Sequence, residues 1–130
     1  MGPSGSGKST LLDIIANRKK MGMWRGEVLI DGEKRSHRFH RDIAYVLQSD
    51  LHIATLTVEE TIAYSAWVRL PERFTLAERQ ERVNMLLHML ELTSIRDRTV
   101  GDQMHKGISG GQLKRLSIAV EMVALPSLIF

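Results

Sequence analysis

At 130 residues the chain is one domain or part of one, long enough to bury about two-thirds of the surface its unfolded form exposes. A hydrophobic share of 43% and a charged share of 25% exclude wholesale disorder, and a net charge of +3 is too small to mark a nucleic-acid binder. With no cysteine there are no disulfides or cysteine metal sites, which fits a reducing compartment. No apolar run reaches the roughly 18 residues of a membrane span, and the N-terminus lacks the apolar region of a signal peptide.

In chain order, Met1 is followed at once by Gly2-Pro3-Ser4-Gly5-Ser6-Gly7-Lys8-Ser9-Thr10. Leu11, Leu12, Ile14, Ile15 and Ala16 then predict an apolar helix ending near Asn17-Arg18-Lys19-Lys20, with cations in its last turn. Gly26 to Ile30 reads as a short strand closed by an Asp31-Gly32 hairpin turn. Ile43 to Leu47 is an apolar run of buried-strand length, with Gln48 at its C-terminal end.

Three helices follow, each with a capping-box signature. Thr57 with Glu60 opens the first, which runs to about Leu70 before Pro71, and Thr75 with Glu78 opens the second. Ser109 with Gln112 opens the third, which stops before Pro126. In the second helix Leu76, Val83, Leu86, Leu87 and Leu90 fall near helical spacing, leaving Arg79, Glu81, Arg82 and Glu91 for solvent. In the third, Leu113, Leu116, Ala119, Val120 and Val123 do the same. Leu128-Ile129-Phe130 begins a further buried strand. Because the chain opens on a loop that normally follows a strand and closes on a strand barely begun, it is expected to be a fragment of a longer fold.

Gly2, Gly7, Lys8 and Ser9 fit the phosphate-loop pattern Gly-x4-Gly-Lys-Ser at every position. The glycines let successive N–H groups point at one place, and the helix that follows adds its N-terminal partial charge. Lys8 is expected to reach the β- and γ-phosphates, and the Ser9 hydroxyl to ligate Mg²⁺. In a chain of this length a chance match is about one in 200.

The loop alone does not choose among nucleotide-hydrolysing families. Ile108-Ser109-Gly110-Gly111-Gln112 resembles the signature of ATP-binding-cassette (ABC) ATPases, usually Leu-Ser-Gly-Gly-Gln. Phosphate loop, apolar strand, Gln48, helical block, signature and apolar run follow one another in that family's order. Leu56-Thr57-Val58-Glu59-Glu60-Thr61, Tyr64-Ser65-Ala66 and Arg69-Leu70-Pro71 resemble the white/G subfamily of eukaryotic ABC transporters. Thr99-Val100-Gly101 and Lys106-Gly107-Ile108 do as well. That subfamily often has Glu where this chain has Gln112, and Val or Leu where it has Ile108.

The resemblance covers essentially the whole chain and implies an α/β P-loop NTPase cassette with an inserted helical subdomain. Residues 1–48 would be the phosphate-loop and Q-loop core, 49–107 the helical subdomain, and 108–130 the signature helix and the start of the Walker-B strand. It implies that Gly2, Pro3, Ser4, Gly5, Ser6, Gly7, Lys8, Ser9 and Thr10 hold ATP, and that Gln48 touches Mg²⁺ and the attacking water. Ser109, Gly110, Gly111 and Gln112 would serve ATP bound by the opposite cassette of a head-to-tail dimer. The implied partners are that second cassette and a transmembrane domain, on the cytosolic face of a membrane, with no nucleic acid. The Walker-B Asp and general-base Glu, expected just beyond Phe130, lie outside the 130 residues, so this chain alone is expected to be inactive while its parent hydrolyses ATP. A missing base costs about 10²- to 10⁴-fold in rate.

Two rivals keep part of this reading. A soluble translation-type ABC ATPase has the same motifs, whereas repair-type cassettes place long coiled coils between the loop and the signature and do not fit. A truncated module that binds nucleotide without catalysis is the other. Lys34 to Arg41 is the densest basic run, read as the solvated face of a small β-subdomain. His37 and His40 lack further zinc ligands, and none of His37, His40, His52, His88 and His105 stands at the family's switch position. Met85 and Met89 read as packing, Asp97 and Asp102 as turn residues, and Trp67 as core or as part of a membrane-domain docking surface.

Overall fold

The computed structural model describes residues 1–19, 21–36, 39–49, 51–102 and 107–130. Lys20, His37, His105 and Lys106, each named above, lie outside the described residues. Helix α1 (Lys8–Ile15) begins behind Gly7 and ends earlier than the sequence suggests. Asn17 takes a left-handed conformation (φ 59°), and the Arg18 N–H donates back to the Asp13 carbonyl at 2.7 Å. Arg18 and Lys19 therefore fall beyond the helix rather than in its last turn. The cation comes from elsewhere. Arg35 donates to the Ile14 and Ile15 carbonyls at 2.7 and 2.8 Å, satisfying acceptors that a helix end leaves open. That corrects the reading of the basic run as a wholly solvated face, and Phe39 within it is buried too.

Strands β1 (Leu29–Ile30) and β2 (Glu33–Lys34) form the expected hairpin, shorter than predicted. Asp31 and Gly32 both have positive φ (52° and 85°), the requirement of a two-residue turn matching strand twist. A short helix α2 (Phe39–Asp42) leads into β3 (Ile43–Ala44). This strand pairs in parallel with β4 (Leu128–Ile129), Ile43 opposite Leu128 and Ala44 opposite Ile129. Phe130 N–H to Ala44 O (3.0 Å) and Val46 N–H to Phe130 O (2.8 Å) prolong the ladder. A parallel pair needs a long crossover, and here helices α3 (Val58–Arg69), α4 (Leu76–Met89) and α5 (Gly110–Met122) lie within it.

All three helices start with the capping boxes that the sequence predicts, at Thr57/Glu60, Thr75/Glu78 and Ser109/Gln112. Their buried faces converge on one cluster, in which Ile62, Leu86, Leu87 and Leu116 have no more than 1% exposure. Segment 96–100 runs along the start of α3, with Val58 and Glu59 N–H groups bonded to the Arg98 and Arg96 carbonyls. The Glu59 carboxylate accepts from Arg96 Nε (2.8 Å) and Gln80 Nε2 (2.7 Å).

Several assignments change. Leu76 and Trp67 are exposed, so neither is core, and Met85 and Met89 are exposed rather than packed. Arg79 and Arg82 are not left to solvent. Arg79 donates to the carbonyls of Ala66, Trp67, Leu70, Pro71 and Phe74, closing the C-terminus of α3. Arg82 donates to Met122 O at 2.8 Å at the end of α5. The physical reason is common to both: a guanidinium has five donors, and helix ends present unpaired acceptors.

Candidate phosphate-binding site

Gly7 immediately precedes α1 in the left-handed region (φ 71°, ψ 40°), and Gly5 also has positive φ (79°). Such angles suit glycine and aim neighbouring N–H groups into a shared concavity. A Cβ at either position would meet nothing within 4 Å, so the backbone conformation, not crowding, selects glycine there. Gly2 differs, because a Cβ would come within 2.8 Å of Ser6 Oγ. The N–H groups of Lys8, Ser9 and Thr10 occupy the first turn of α1, where no intrahelical acceptor exists. Lys8 folds back, its Nζ donating to the Gly2 and Pro3 carbonyls at 2.8 and 2.9 Å. The loop is exposed throughout. Backbone donors, a dipole end and one ammonium gathered in one exposed loop fit an anion with several oxygens. The Ser9 hydroxyl supplies the hard oxygen donor that Mg²⁺ prefers.

The segment after β3 lies against α1. Arg18 sits over the Tyr45 ring, 4.3 Å from its centroid. The Tyr45 hydroxyl is raised above its ordinary pKa, first by burial and then by its hydrogen bond to Asp13, with Arg18 pulling the other way. Gln48, three residues on, is exposed and offers a second hard oxygen. Its backbone carbonyl and that of Leu47 accept from Lys114 Nζ on α5. Lys114, with the neighbouring His52–Ser117 contact, is a residue that the sequence reading passed over.

At the start of α5, Ser109 Oγ accepts from Gln112 N–H (3.3 Å) and Gln112 Oε1 accepts from Ser109 N–H (2.8 Å). Gly110 and Gly111 are exposed, and a Cβ at either would find open space. Gly107 is under the opposite constraint. A Cβ there would overlap the Val100 carbonyl, the same carbonyl that accepts from Ile108 N–H at 3.1 Å. The approach to Ser109 is thus fixed by contact with Val100, itself buried in the helical cluster. Among the described residues, no hydrogen bond or ion pair joins residues 2–10 to Ser109–Gln112. Nor is there a cluster of three or more metal-ligating His, Asp or Glu.

A sequence model of the family described as ABC transporter matches residues 1–130. The chain belongs to the ABC transporter family. Its P-loop NTPase fold follows from that membership. The broad substrate specificity ATP-binding cassette transporter ABCG2 of Sus scrofa is 45% identical over 130 residues, covering the whole chain and 20% of that protein. ABC transporter G family member 13 of Arabidopsis thaliana is 48% identical over 131 residues, covering the whole chain and 19% of that protein. ABC transporter G family member 24 of Dictyostelium discoideum is 45% identical over 130 residues, covering 11% of it. The chain thus spans about a tenth to a fifth of the length of these relatives, and the resemblance to the white/G subfamily stands.

Proposed function

We propose that this ABC-family chain is the ATP-binding part of a G-type transporter that couples MgATP binding and hydrolysis to substrate export across a membrane. The observation that carries the reading is the left-handed Gly7 that opens α1 with its first-turn N–H groups unpaired and exposed, Lys8 among them. In this reading residues 1–48 form the nucleotide-binding core, 49–107 an inserted helical subdomain, and 108–130 the signature helix leading to the Walker-B strand. The family resemblance and the relatives' transporter names favour it over a soluble translation-type ATPase.

Gly2 to Thr10 wrap the phosphates, and the Lys8 ammonium exchanges the Gly2 and Pro3 carbonyls for phosphate oxygens. The Ser9 hydroxyl and Gln48 would hold Mg²⁺, which would supply positive charge beside those phosphates. Gln48 also orients the attacking water. Ser109, Gly110, Gly111 and Gln112 serve ATP held by a second cassette, so the working unit is a head-to-tail dimer. Phosphoryl transfer of this kind is mostly positioning and charge stabilisation, which backbone donors and one lysine can supply.

The membrane domain of the same transporter is the proposed occupant of a groove lined by Leu51, Ile53, Leu56, Tyr64 and Val68. Tyr64, Trp67 and Val68 are exposed on α3, an arrangement that supports a cytosolic cassette docked beneath its membrane helices. No helix among the described residues is itself long and apolar enough to cross a membrane.

Two substitutions in the full-length protein test the assignments. Lys8→Ala is expected to abolish tight ATP binding, and unchanged nucleotide affinity would refute the phosphate-loop reading. Ser109→Arg is expected to keep ATP binding while stopping ATP-induced dimer closure. A dimer that still closes would refute the role given to Ser109.

A further inference from the structure

The segment carrying Gln48 and the helix carrying Ser109 meet through polar bonds. Lys114 Nζ, about one turn into α5, donates to Leu47 O at 3.0 Å and Gln48 O at 3.2 Å. About one turn further on, Ser117 Oγ lies 2.7 Å from His52 Nε2. Ser117 Oγ is also 3.1 Å from Leu113 O, so one hydroxyl stands between His52 and the α5 backbone.

What surrounds these bonds gives them weight. Leu116 and Ala119 of α5, with Val123 at its C-cap, belong to the cluster shared with α3 and α4. Toward the Gln48 segment the helix instead borders a cavity of about 150 Å³, lined by Leu47, Ser49, Leu51, His52, Ser117 and Val120 among others. This cleft is open to solvent, so side chains on its two sides do not pack directly across it. The polar contacts of Lys114 and Ser117 bridge α5 and this segment beside the cleft.

We infer that Lys114 is a positioning residue for ATP turnover: by holding the Leu47 and Gln48 carbonyls it sets where the Gln48 side chain sits, and it makes the Ser109 end of α5 move with that segment. The His52–Ser117 bond is the second point of the same fastening. A Gln48 side chain displaced by a change at its own nucleotide site thus pulls on the helix whose other end serves the opposite site. This inference rests on the proposed reading of Gln48 as a nucleotide-site residue.

A double-mutant cycle in the full-length protein, reconstituted in lipid, tests it through ATP turnover, ATP affinity and Mg²⁺ dependence. Lys114→Met is expected to lower kcat about tenfold, the range typical for a residue that orients a metal ligand. It should also raise the Mg²⁺ concentration needed for half-maximal rate, with ATP affinity and melting temperature close to wild type. Lys114→Met added to Gln48→Ala should then cost nothing further, because both act through one side chain. Lys114→Arg, which keeps a long cationic donor, should recover part of the rate.

If Lys114→Met turns over ATP like wild type, or if its loss multiplies with that of Gln48→Ala, the inference is overturned and the phosphate-loop reading stands. If Lys8→Ala, run in parallel, still binds and hydrolyses ATP, the site reading itself fails and the inference falls with it. Should Lys114→Met fold poorly, Lys114→Gln, uncharged and shorter on a helix that tolerates it, gives the same cycle.

Discussion

In residues 1–47 the buried apolar side chains among those described are Ala16, Phe39 and Ala44, whereas thirteen between Val58 and Val123 form a single cluster. The phosphate loop takes its shape from backbone angles at Gly5 and Gly7 and from Lys8 folded onto the Gly2 and Pro3 carbonyls. The Ser109 end takes its shape from what lies beneath it: Gly107 pressed on Val100, and α5 seated on α3 and α4. One helix start is thus specified locally, and the other by a core built from residues far along the chain. Local specification keeps a ligand loop open to ligand. Core specification holds a surface rigid enough to be presented to a partner.

The strongest way to break this contrast is to open a hole under the second region only. Leu86→Ala removes a side chain with no exposure and should cost about 2–5 kcal/mol, read as a large drop in denaturation midpoint. Leu12→Ala on α1, where the leucine is exposed, should change the midpoint little. Equal effects at the two sites would erase the distinction.

A smaller effect is expected from Arg79→Met, which keeps much of the volume but takes a donor from four carbonyls at the end of α3 and from Phe74 O before α4. Ala66 and Pro71 keep the Leu70 and Phe74 N–H groups, so the loss at the remaining carbonyls should cost about 1–3 kcal/mol, and hydrogen exchange should rise first in the last turn of α3. Exchange rising uniformly across the chain would mean that Arg79 acts through charge rather than as a helix closure.

The smallest effect concerns pH. The hydrogen bond from Arg96 is the main reason the Glu59 carboxyl titrates below its usual 4.5, with burial opposing and Gln80 reinforcing. A lowered folded-state value contributes stability that is fully present above about pH 4.5 and is lost as pH falls through the folded value. Wild type should therefore melt higher than Glu59→Gln at pH 7, and the gap should close toward pH 3. A gap that stays constant would remove this contact from the acid sensitivity of the helical region.

Much of this was legible in the sequence because the signals are local. Thr57/Glu60, Thr75/Glu78 and Ser109/Gln112 announce three helix starts within four residues each, and Asp31-Gly32 announces its turn. The phosphate loop and the signature are likewise contiguous motifs, and their order identified the family that the whole-chain match shows. What the sequence could not supply is which cation meets which helix end. Arg18 and Lys19 stand in the right place along the chain, yet Arg35 reaches the α1 carbonyls. Arg79 and Arg82 look solvated by periodicity, yet each closes a helix other than its own.

The same division explains Lys114, Trp67 and Leu76. A helical period fixes which side chains share a face, but not which faces are covered, because that depends on the direction in which neighbouring helices arrive. Backbone conformation and capping are decided over a few residues and are written in them. Partnership across 66 or 67 residues, as between Lys114 and the Gln48 and Leu47 carbonyls, exists only once the chain has folded around its core.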